Sequence, residues 1–222
     1  MKKLNFINSL HKKTKRNYLE RVNNKSMPKY LAAIKAKKWA YDYWDGSRDV
    51  CYGGYNYIKG RNDKLVKKII NYYKLNNKSK ILDVGCGKGF LLYDFTKFLP
   101  GIEVVGIDIS KYAIKNSKKE IKNYLHHCNA IKLPFKKKYF DLALSMNTFH
   151  NLYNYELEKA LIEFSRVAKK NYLCVESYRN ELEKQNLLYW QVTCESFCTE
   201  SEWRWWFKKT NYKGDYSLIY FE

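Results

Sequence analysis

Several kinds of sequence signal are missing from this chain of 222 residues. No apolar run is long enough to span a bilayer. The basic opening segment MKKLNFINSLHKKTKR lacks the continuous apolar stretch and the small-residue cleavage site of a signal peptide. We therefore predict an intracellular, cytoplasmic protein. Internal repeats and low-complexity segments are also absent from the sequence, which excludes a repeat array.

The six cysteines form no C-x-x-C pair. Cys194 and Cys198 have the spacing of one helix face, but no histidine or second cysteine pair completes a zinc site beside them. We predict reduced, packed thiols and no bound metal.

Acidic residues are scarce, since 22 Asp and Glu stand against 42 Lys and Arg, a formal net charge of +20. Such an excess can indicate a polyanionic partner such as nucleic acid. Lysines far outnumber arginines, however, whereas surfaces that read bases or clamp phosphates prefer arginine. The abundance of Asn, Tyr and Ile beside Lys is also what an AT-rich genome produces. Nucleic acid is therefore a disfavoured partner at this stage.

What the sequence does contain is a core-forming composition, 45% hydrophobic and 17% aromatic, which predicts a globular chain. Residues 1–62 are predicted to form a helical extension that ends in a loop rich in Tyr and Gly. Residues 63–222 are predicted to form the main domain. There, apolar runs and amphipathic helix patterns alternate, which predicts an α/β fold with a mainly parallel sheet covered on both faces.

The stretch ILDVGCGKGF, residues 81–90, runs from a strand into Gly85, Gly87 and Gly89. Glycines let such a turn pass close to a ligand, where a Cβ would clash. Asp108 ends the next strand about 20 residues later, where a carboxylate accepts ribose hydroxyls. Together they predict a nucleoside-containing ligand at the strand ends. A hydride-transfer site is disfavoured because the third glycine comes one residue earlier than in G-x-G-x-x-G.

With HCNA at 127–130 and FDLALSMNTFHNL at 140–152, these motifs resemble the class I S-adenosylmethionine-dependent methyltransferases. The resemblance implies a Rossmann-like sheet of the seven-stranded type. It also implies S-adenosyl-L-methionine as cofactor and S-adenosyl-L-homocysteine as product. The family fold normally ends in an antiparallel strand pair, so either LLYWQVT, residues 187–193, supplies a strand or the sheet is one strand short.

The resemblance also assigns the cofactor-binding residues. They belong to the glycine turn and the strand before it, the ribose carboxylate and its neighbour, and the residues at the ends of the third and fourth strands. These residues are Asp83, Gly85, Cys86, Gly87, Gly89, Asp108, Ile109, Asn129, Ala130, Ser145 and Met146. Asp83 would orient the turn or meet the methionine ammonium through water, and Asn129 would meet the adenine amino group unless it is only a turn residue.

Methyl transfer to a hydroxyl needs a base, and His150, just past the fourth strand, has a suitable unperturbed pKa. Glu176, at the end of the fifth strand, is the second catalytic candidate. Tyr178 and Arg179 are expected to bind sugar hydroxyls or a phosphate, and Asn147 to face the acceptor. The alternatives are local packing for His150 and a loop salt bridge for Arg179.

The loop Tyr52-Gly53-Gly54-Tyr55 is predicted to be a lid over the cofactor and the acceptor. Its aromatic rings also suit a cationic sulfonium. The alternative is an aromatic staple that holds the N-terminal helices on the sheet.

Residues 40–222 resemble more closely a group of small bacterial methyltransferases associated with surface polysaccharide and sugar modification. This implies a small-molecule acceptor, such as a sugar, a sugar nucleotide or a capsule or lipopolysaccharide precursor that is phosphorylated or nucleotide-linked. The alternatives are an RNA methyltransferase and a non-catalytic module that binds the cofactor. Against RNA, the fourth strand ends in SMNT, not in the Asn/Asp-Pro-Pro-aromatic signature of base-amino methyltransferases. The oligomeric state is left open.

Overall fold

The computed structural model describes residues 1–7 and 16–222. The strands are β1 Lys80–Val84, β2 Glu103–Asp108, β3 Leu125–His127, β4 Phe140–Met146, β5 Ala168–Glu176 and β6 Asp215–Ile219. The helices are α1 Tyr18–Asn23, α2 Lys29–Ala36, α3 Tyr41–Trp44, α4 Asp63–Tyr73, α5 Phe90–Phe98, α6 Lys111–Lys115, α7 Asn154–Val167, α8 Glu181–Trp190 and α9 Glu200–Lys209. Short 3₁₀ helices cover Lys119–Tyr124 and Phe149–Asn151.

The strands form one sheet in the order β3-β2-β1-β4-β5-β6, and every neighbouring pair is parallel. The predicted Rossmann-like α/β class is confirmed. Within the described part of the chain the sheet has six strands, not seven, and its last strand does not run antiparallel. The reason lies in LLYWQVT: residues 187–190 belong to α8, which begins where the Asn180 side chain accepts the Glu183 N–H at 2.9 Å.

The edge of β6 is covered by the start of the chain. Leu4 donates its N–H to the Tyr216 carbonyl at 2.7 Å, and Tyr216 donates to the Lys2 carbonyl at 3.0 Å. These bonds satisfy backbone groups that an open sheet edge would leave unpaired.

Helices cover both faces of the sheet, which explains why its strands are apolar runs and not alternating patterns. One core packs α7 and α9 against the sheet and includes Phe164, Trp203 and Phe207. The other core packs α4 and α5 against the opposite face and includes Ile69 and Phe95. Trp203 and Trp206 are both buried, in keeping with the shared helix face that their spacing predicts.

The N-terminal segment packs near the carboxyl ends of the strands. Ala36, Tyr43 and Trp44 form a third apolar cluster with Ala113, which follows β2, and with Val192, which follows α8. Apart from α3, residues 43–61 contain no helix or strand, as predicted for a loop. Across residues 1–7 and 16–222, no helix combines the length and the apolar character needed to cross a membrane.

Candidate functional site

A cleft of about 1230 Å³ opens where four strands end, and we call it the carboxyl-end cleft. Val84 of β1, Asp108 of β2, Met146 of β4 and Glu176 of β5 all line it. Open parallel sheets bind ligands at this edge. The volume exceeds the roughly 300–1,000 Å³ that is typical of one small-molecule site, so the cleft has room for two ligands.

The glycine turn is left-handed at each predicted position, with φ of 82° at Gly85, 55° at Gly87 and 75° at Gly89. A Cβ on Gly85 would lie 2.0 Å from Thr148 Oγ1. A Cβ on Gly87 would lie 2.9 Å from the Trp44 ring. The conformation and the protein's own neighbours therefore require glycine here, in addition to any ligand contact.

Asp108 ties the glycine turn to the tip of β2. Its Oδ2 accepts the Gly87 N–H at 2.8 Å, and its Oδ1 accepts the Ser110 N–H at 2.7 Å. Because each carboxylate oxygen has further lone pairs, Asp108 can still accept ribose hydroxyls. Ile109 beside it is 45% exposed and lines the cleft.

Asp83 lies deeper in the carboxyl-end cleft and is only 3% exposed. Its Oδ1 has no hydrogen-bond partner in the described chain. Burial, with the nearby Asp108 carboxylate as a second cause, raises the pKa of Asp83 to about 8. A cationic group that entered the cleft would supply the counter-charge that this carboxylate lacks.

His150 and Glu176 face each other across the cleft floor, with His150 Nε2 and Glu176 Oε2 3.3 Å apart. The Glu176 N–H donates to His150 Nδ1, also at 3.3 Å, so the neutral imidazole carries its proton on Nε2. Burial lowers the pKa of His150 to about 3 and raises the pKa of Glu176 to about 8. Glu176 Oε2 is buried and has no aligned hydrogen-bond partner among the described residues.

Two supports of Glu176 were missed by sequence reasoning. The Gln191 side-chain amide donates to Glu176 Oε1, and Trp203 Nε1 donates to the Glu176 backbone carbonyl at 2.9 Å. Gln191 lies in the stretch interpreted as a possible strand, and Trp203 in a helix interpreted as core. No spacing in the sequence links either residue to position 176.

The remaining predicted cofactor residues divide into two groups. Cys86, Asn129, Ala130 and Met146 line the carboxyl-end cleft, as does Asn147, which was expected to face the acceptor. By contrast, Gly89 caps α5 and Ser145 is buried behind the cleft with its hydroxyl donating to the Val84 carbonyl at 2.7 Å. The Asn129 side chain accepts the Ile131 N–H at 3.1 Å, as a turn residue does.

Tyr178 and Arg179 lie outside the cleft lining, which corrects the expectation that they bind the acceptor. The Arg179 guanidinium is held by Glu183 and Glu222, so it forms the loop salt bridge that was the alternative. Tyr178 forms a backbone bridge with Thr199.

The aromatic residues of the predicted lid lie over the glycine turn. Tyr52, Gly54 and Tyr55 line the carboxyl-end cleft, whereas Gly53 faces Arg48. Trp44, which sequence reasoning missed, stacks on Tyr52 with ring centroids 5.6 Å apart. Its Nε1 donates to the Ser110 hydroxyl at 2.9 Å.

A buried ion pair fastens this lid to the turn. Lys88, inside the glycine turn, places Nζ 2.7 Å from both carboxylate oxygens of Asp45, and it also donates to the Tyr55 carbonyl at 2.9 Å. Tyr112 donates its hydroxyl to Asp45 at 2.8 Å. The Lys88 side chain is 6% exposed, so this clasp is shielded from solvent.

The cleft has a basic and aromatic end beside Glu176, on the β5 side of the sheet. The Arg16 and Arg48 guanidinium carbons lie 5.8 and 5.6 Å from the centre of the Trp190 ring. All three residues line the cleft. They come from distant parts of the sequence, so no local motif could have revealed the group.

The comparisons with known proteins agree with this geometry. A family model described as Methyltransferase domain matches residues 75–211, more than half of the chain. Ribosomal RNA small subunit methyltransferase A of Wigglesworthia glossinidia brevipalpis is 34% identical over 101 residues, or 45% of this chain and 38% of that protein. Malonyl-(acyl-carrier protein) O-methyltransferase of Bacillus anthracis is 26% identical over 103 residues, or 45% and 38%.

This chain thus spans about two fifths of the length of these curated relatives. Among solved structures, the YcgJ protein from Bacillus subtilis aligns with a TM-score of 0.54 at 20% identity. The alignment covers 65% of this chain and 66% of that one, and it shows a shared fold.

Proposed function

Since the chain belongs to the methyltransferase domain family, we propose that it transfers a methyl group from S-adenosylmethionine to a small acceptor molecule. The acceptor atom is a hydroxyl or phosphate-linked oxygen of a sugar, a sugar nucleotide or a capsule or lipopolysaccharide precursor. The observation that carries the methyl-donor assignment is the buried, unpartnered Asp83 carboxylate beside the glycine turn. Asp83 suits a positively charged group, and Asp108 suits a ribose. The ligand that fits both is therefore a nucleoside that carries a positive charge.

The residues of the carboxyl-end cleft fit each part of the donor. Asp108 would accept the ribose hydroxyls, with Ile109 beside the adenine. Asp83 would meet the methionine ammonium, directly or through water. The Tyr52 and Tyr55 rings offer cation–π attraction to a sulfonium.

When bound, the donor supplies an electrophilic methyl group, and the protein must hold the acceptor oxygen in line with it and exclude water. The lid is the element that excludes water in this proposal. Its clasp between Lys88 and Asp45 holds the aromatic rings over the glycine turn.

Glu176 is the group that takes the acceptor's proton. His150 is not suited to that role, because its Nδ1 already accepts a hydrogen bond and its low pKa makes the imidazole a poor proton acceptor. Glu176 Oε2 is free of aligned partners and lines the cleft, and its raised pKa of about 8 makes it an effective base. His150 is then a positioning residue, which accepts the Glu176 backbone N–H and lies against its carboxylate.

The acceptor carries a negative charge in this proposal. Arg16 and Arg48 lie against Trp190 at the same end of the cleft as Glu176, and guanidinium groups bind phosphate oxygens well. A phosphorylated or nucleotide-linked sugar combines a hydroxyl for Glu176 with an anion for these arginines.

An RNA acceptor is the second candidate, because one relative is named as a ribosomal RNA methyltransferase. The charge of the cleft argues against it. Among the residues that the structure describes, seven acidic side chains and five basic ones line the carboxyl-end cleft. Two of the seven, Asp83 and Glu176, have pKa values raised to about 8, so at neutral pH the lining carries no excess charge of either sign. A groove that holds a nucleic-acid backbone needs an excess of positive charge.

Calorimetry with S-adenosylmethionine and S-adenosylhomocysteine tests the donor assignment. Wild-type protein should bind both, and Asp108→Ala should bind about 100-fold more weakly, because it loses charged hydrogen bonds to the ribose and to the glycine turn. Asp141→Ala, at the other edge of the sheet, is the matched control and should bind like wild type.

No binding of either compound to folded wild-type protein would refute the proposal. If both bind, a screen with methyl-labelled donor separates the remaining alternatives. Transfer to sugar nucleotides or phosphosugars supports the first acceptor class, and transfer to RNA supports the second. Binding without transfer to any acceptor favours a non-catalytic module.

A further inference from the structure

A second cavity, of about 790 Å³, opens where β4, β5 and β6 begin, and we call it the amino-end cavity. Seven of its 17 lining residues are Lys or Arg, and one is acidic, counting only described residues. Over the whole sequence, 42 of 222 residues are Lys or Arg. Basic residues are therefore about twice as frequent here as in the chain at large.

The single acidic side chain of the cavity, that of Asp215, already accepts hydrogen bonds from neutral donors. Asp215 Oδ1 accepts the Lys2 backbone N–H at 2.7 Å, and Oδ2 accepts the Tyr73 hydroxyl at 3.1 Å. Asp215 therefore secures the cavity wall, and its single negative charge offsets only one of the seven basic groups around it.

Some of the cations have structural partners. Arg166 Nε pairs with Glu163 at 2.7 Å, and Lys169 pairs with Asp141 at 2.8 Å. Lys138 donates to two backbone carbonyls and has no carboxylate partner. These three residues shape the cavity.

Four lysines remain, and none has a carboxylate within 4 Å in residues 1–7 and 16–222. They are Lys2, Lys137, Lys170 and Lys213, and all four are exposed. They come from separate segments of the chain that the fold brings to one concavity. Like charges held together repel one another, and an anion that bridged them would remove that repulsion.

The shape and the rim indicate which anion fits. Tyr72 lines the cavity and is 39% exposed, so its ring can stack on a base. A cationic groove beside an exposed aromatic ring is how proteins bind single-stranded nucleic acid without reading its sequence. Lysines act as point charges that tolerate varied phosphate geometry. A flat membrane surface would not enter a concavity.

We propose that the amino-end cavity binds the phosphate backbone of single-stranded nucleic acid through Lys137, Lys170 and Lys213, with Tyr72 as a stacking surface. The cavity lies at the opposite edge of the sheet from the carboxyl-end cleft. It is therefore a docking site separate from the proposed methyl transfer and independent of it.

The test is fluorescence anisotropy with a labelled 12-nucleotide oligouridylate over a salt series, using the full chain. The triple variant Lys137→Gln/Lys170→Gln/Lys213→Gln should bind at least about tenfold more weakly. The slope of log affinity against log salt should fall by about 2, since each single-strand phosphate contact contributes roughly 0.7.

The matched control removes the same charge elsewhere. Lys64, Lys115 and Lys119 are exposed and line neither cavity. Their triple Gln variant should bind the oligonucleotide within twofold of wild type. Tyr72→Ala should lose about tenfold at unchanged salt slope, because stacking is not ionic.

Three results would overturn the proposal. One is an equal loss of oligonucleotide affinity in the two triple variants, which would mean that binding depends on net charge alone. Another is no oligonucleotide binding at low salt. The third is binding to vesicles of 30% phosphatidylserine without oligonucleotide binding, which would make the surface a membrane contact. Donor affinity should stay within twofold of wild type in both triple variants, which separates this test from the test of methyl transfer.

Discussion

The two edges of one sheet differ in charge. The carboxyl-end cleft is lined by more acidic than basic residues, and three of its carboxyl groups are buried, whereas the amino-end cavity has one acidic residue beside seven basic ones. An overall charge of +20 therefore says little about the reaction site. The cleft suits a cationic donor, and part of the excess positive charge lies at the amino-end cavity. Three predictions test whether the cleft uses its carboxyl groups in this way.

The largest effect should come from Glu176→Gln. The amide keeps the shape and the contact with Gln191 but cannot accept a proton, so methyl transfer should slow by about 10³-fold. Donor affinity should stay within twofold. In wild type the rate should rise with pH through about 8 and then level off, because the group is active only when deprotonated. Single-turnover rates with labelled donor measure both.

The control for this prediction is Glu195→Gln, which changes another cleft carboxylate that is paired with Lys37. It should leave the rate nearly unchanged. An unaltered rate in Glu176→Gln would remove Glu176 from the chemistry.

An intermediate effect is expected from Asp83→Asn. At pH 7 the buried Asp83 carboxyl, with its pKa raised to about 8, is mostly protonated. A bound ammonium lowers that pKa, so donor binding should release nearly one proton, and affinity should increase as pH rises towards 8. Calorimetry in phosphate and in Tris should give different heats for wild type.

In Asp83→Asn the buffer dependence should disappear, and affinity should fall by about 10–100-fold. Identical wild-type heats in the two buffers would show that Asp83 does not bind the ammonium group of the donor. The proposed chemical reason for the difference between the two edges of the sheet would then be lost.

The smallest effect is expected from Asp45→Asn, which leaves the Lys88 ammonium buried without its carboxylate. Removing one partner of a buried pair is destabilising. The lid should loosen, donor affinity should fall by about fivefold, and proteolysis within residues 43–61 should become faster. Asp42→Asn, in α3 just before Asp45, is the control. Equal protease resistance in Asp45→Asn and wild type would mean that aromatic packing alone holds the lid.

Much of the fold could be predicted from local patterns. The strand at 81–84 and the glycine turn after it could be recognised because a buried parallel strand is a continuous apolar run and φ above zero favours glycine. The residues 187–190 were ambiguous, because a short apolar run fits a buried strand or a helix equally well. The helix is favoured by the cap at Asn180, which lies outside the run.

The site residues that lie at strand ends could be predicted from the sequence. Those whose position depends on packing between distant segments could not. Asp83, Asp108 and Glu176 lie where parallel strands place them. Arg179 was misplaced although one partner, Glu183, is only four residues away; its other partner, Glu222, is 43 residues away and no pattern links them. Trp44 was missed for the same reason, since its contact with Ser110 spans 66 residues.

The pairing of the first residues with β6 bears on the order in which the molecule assembles. The Lys2 N–H reaches Asp215 across 213 positions of sequence, so this edge cannot form until β6 has left the ribosome. Closing so long a loop is entropically costly and belongs late in folding. Weakening it, for example with Ser217→Ala, should therefore speed unfolding and leave the folding rate almost unchanged.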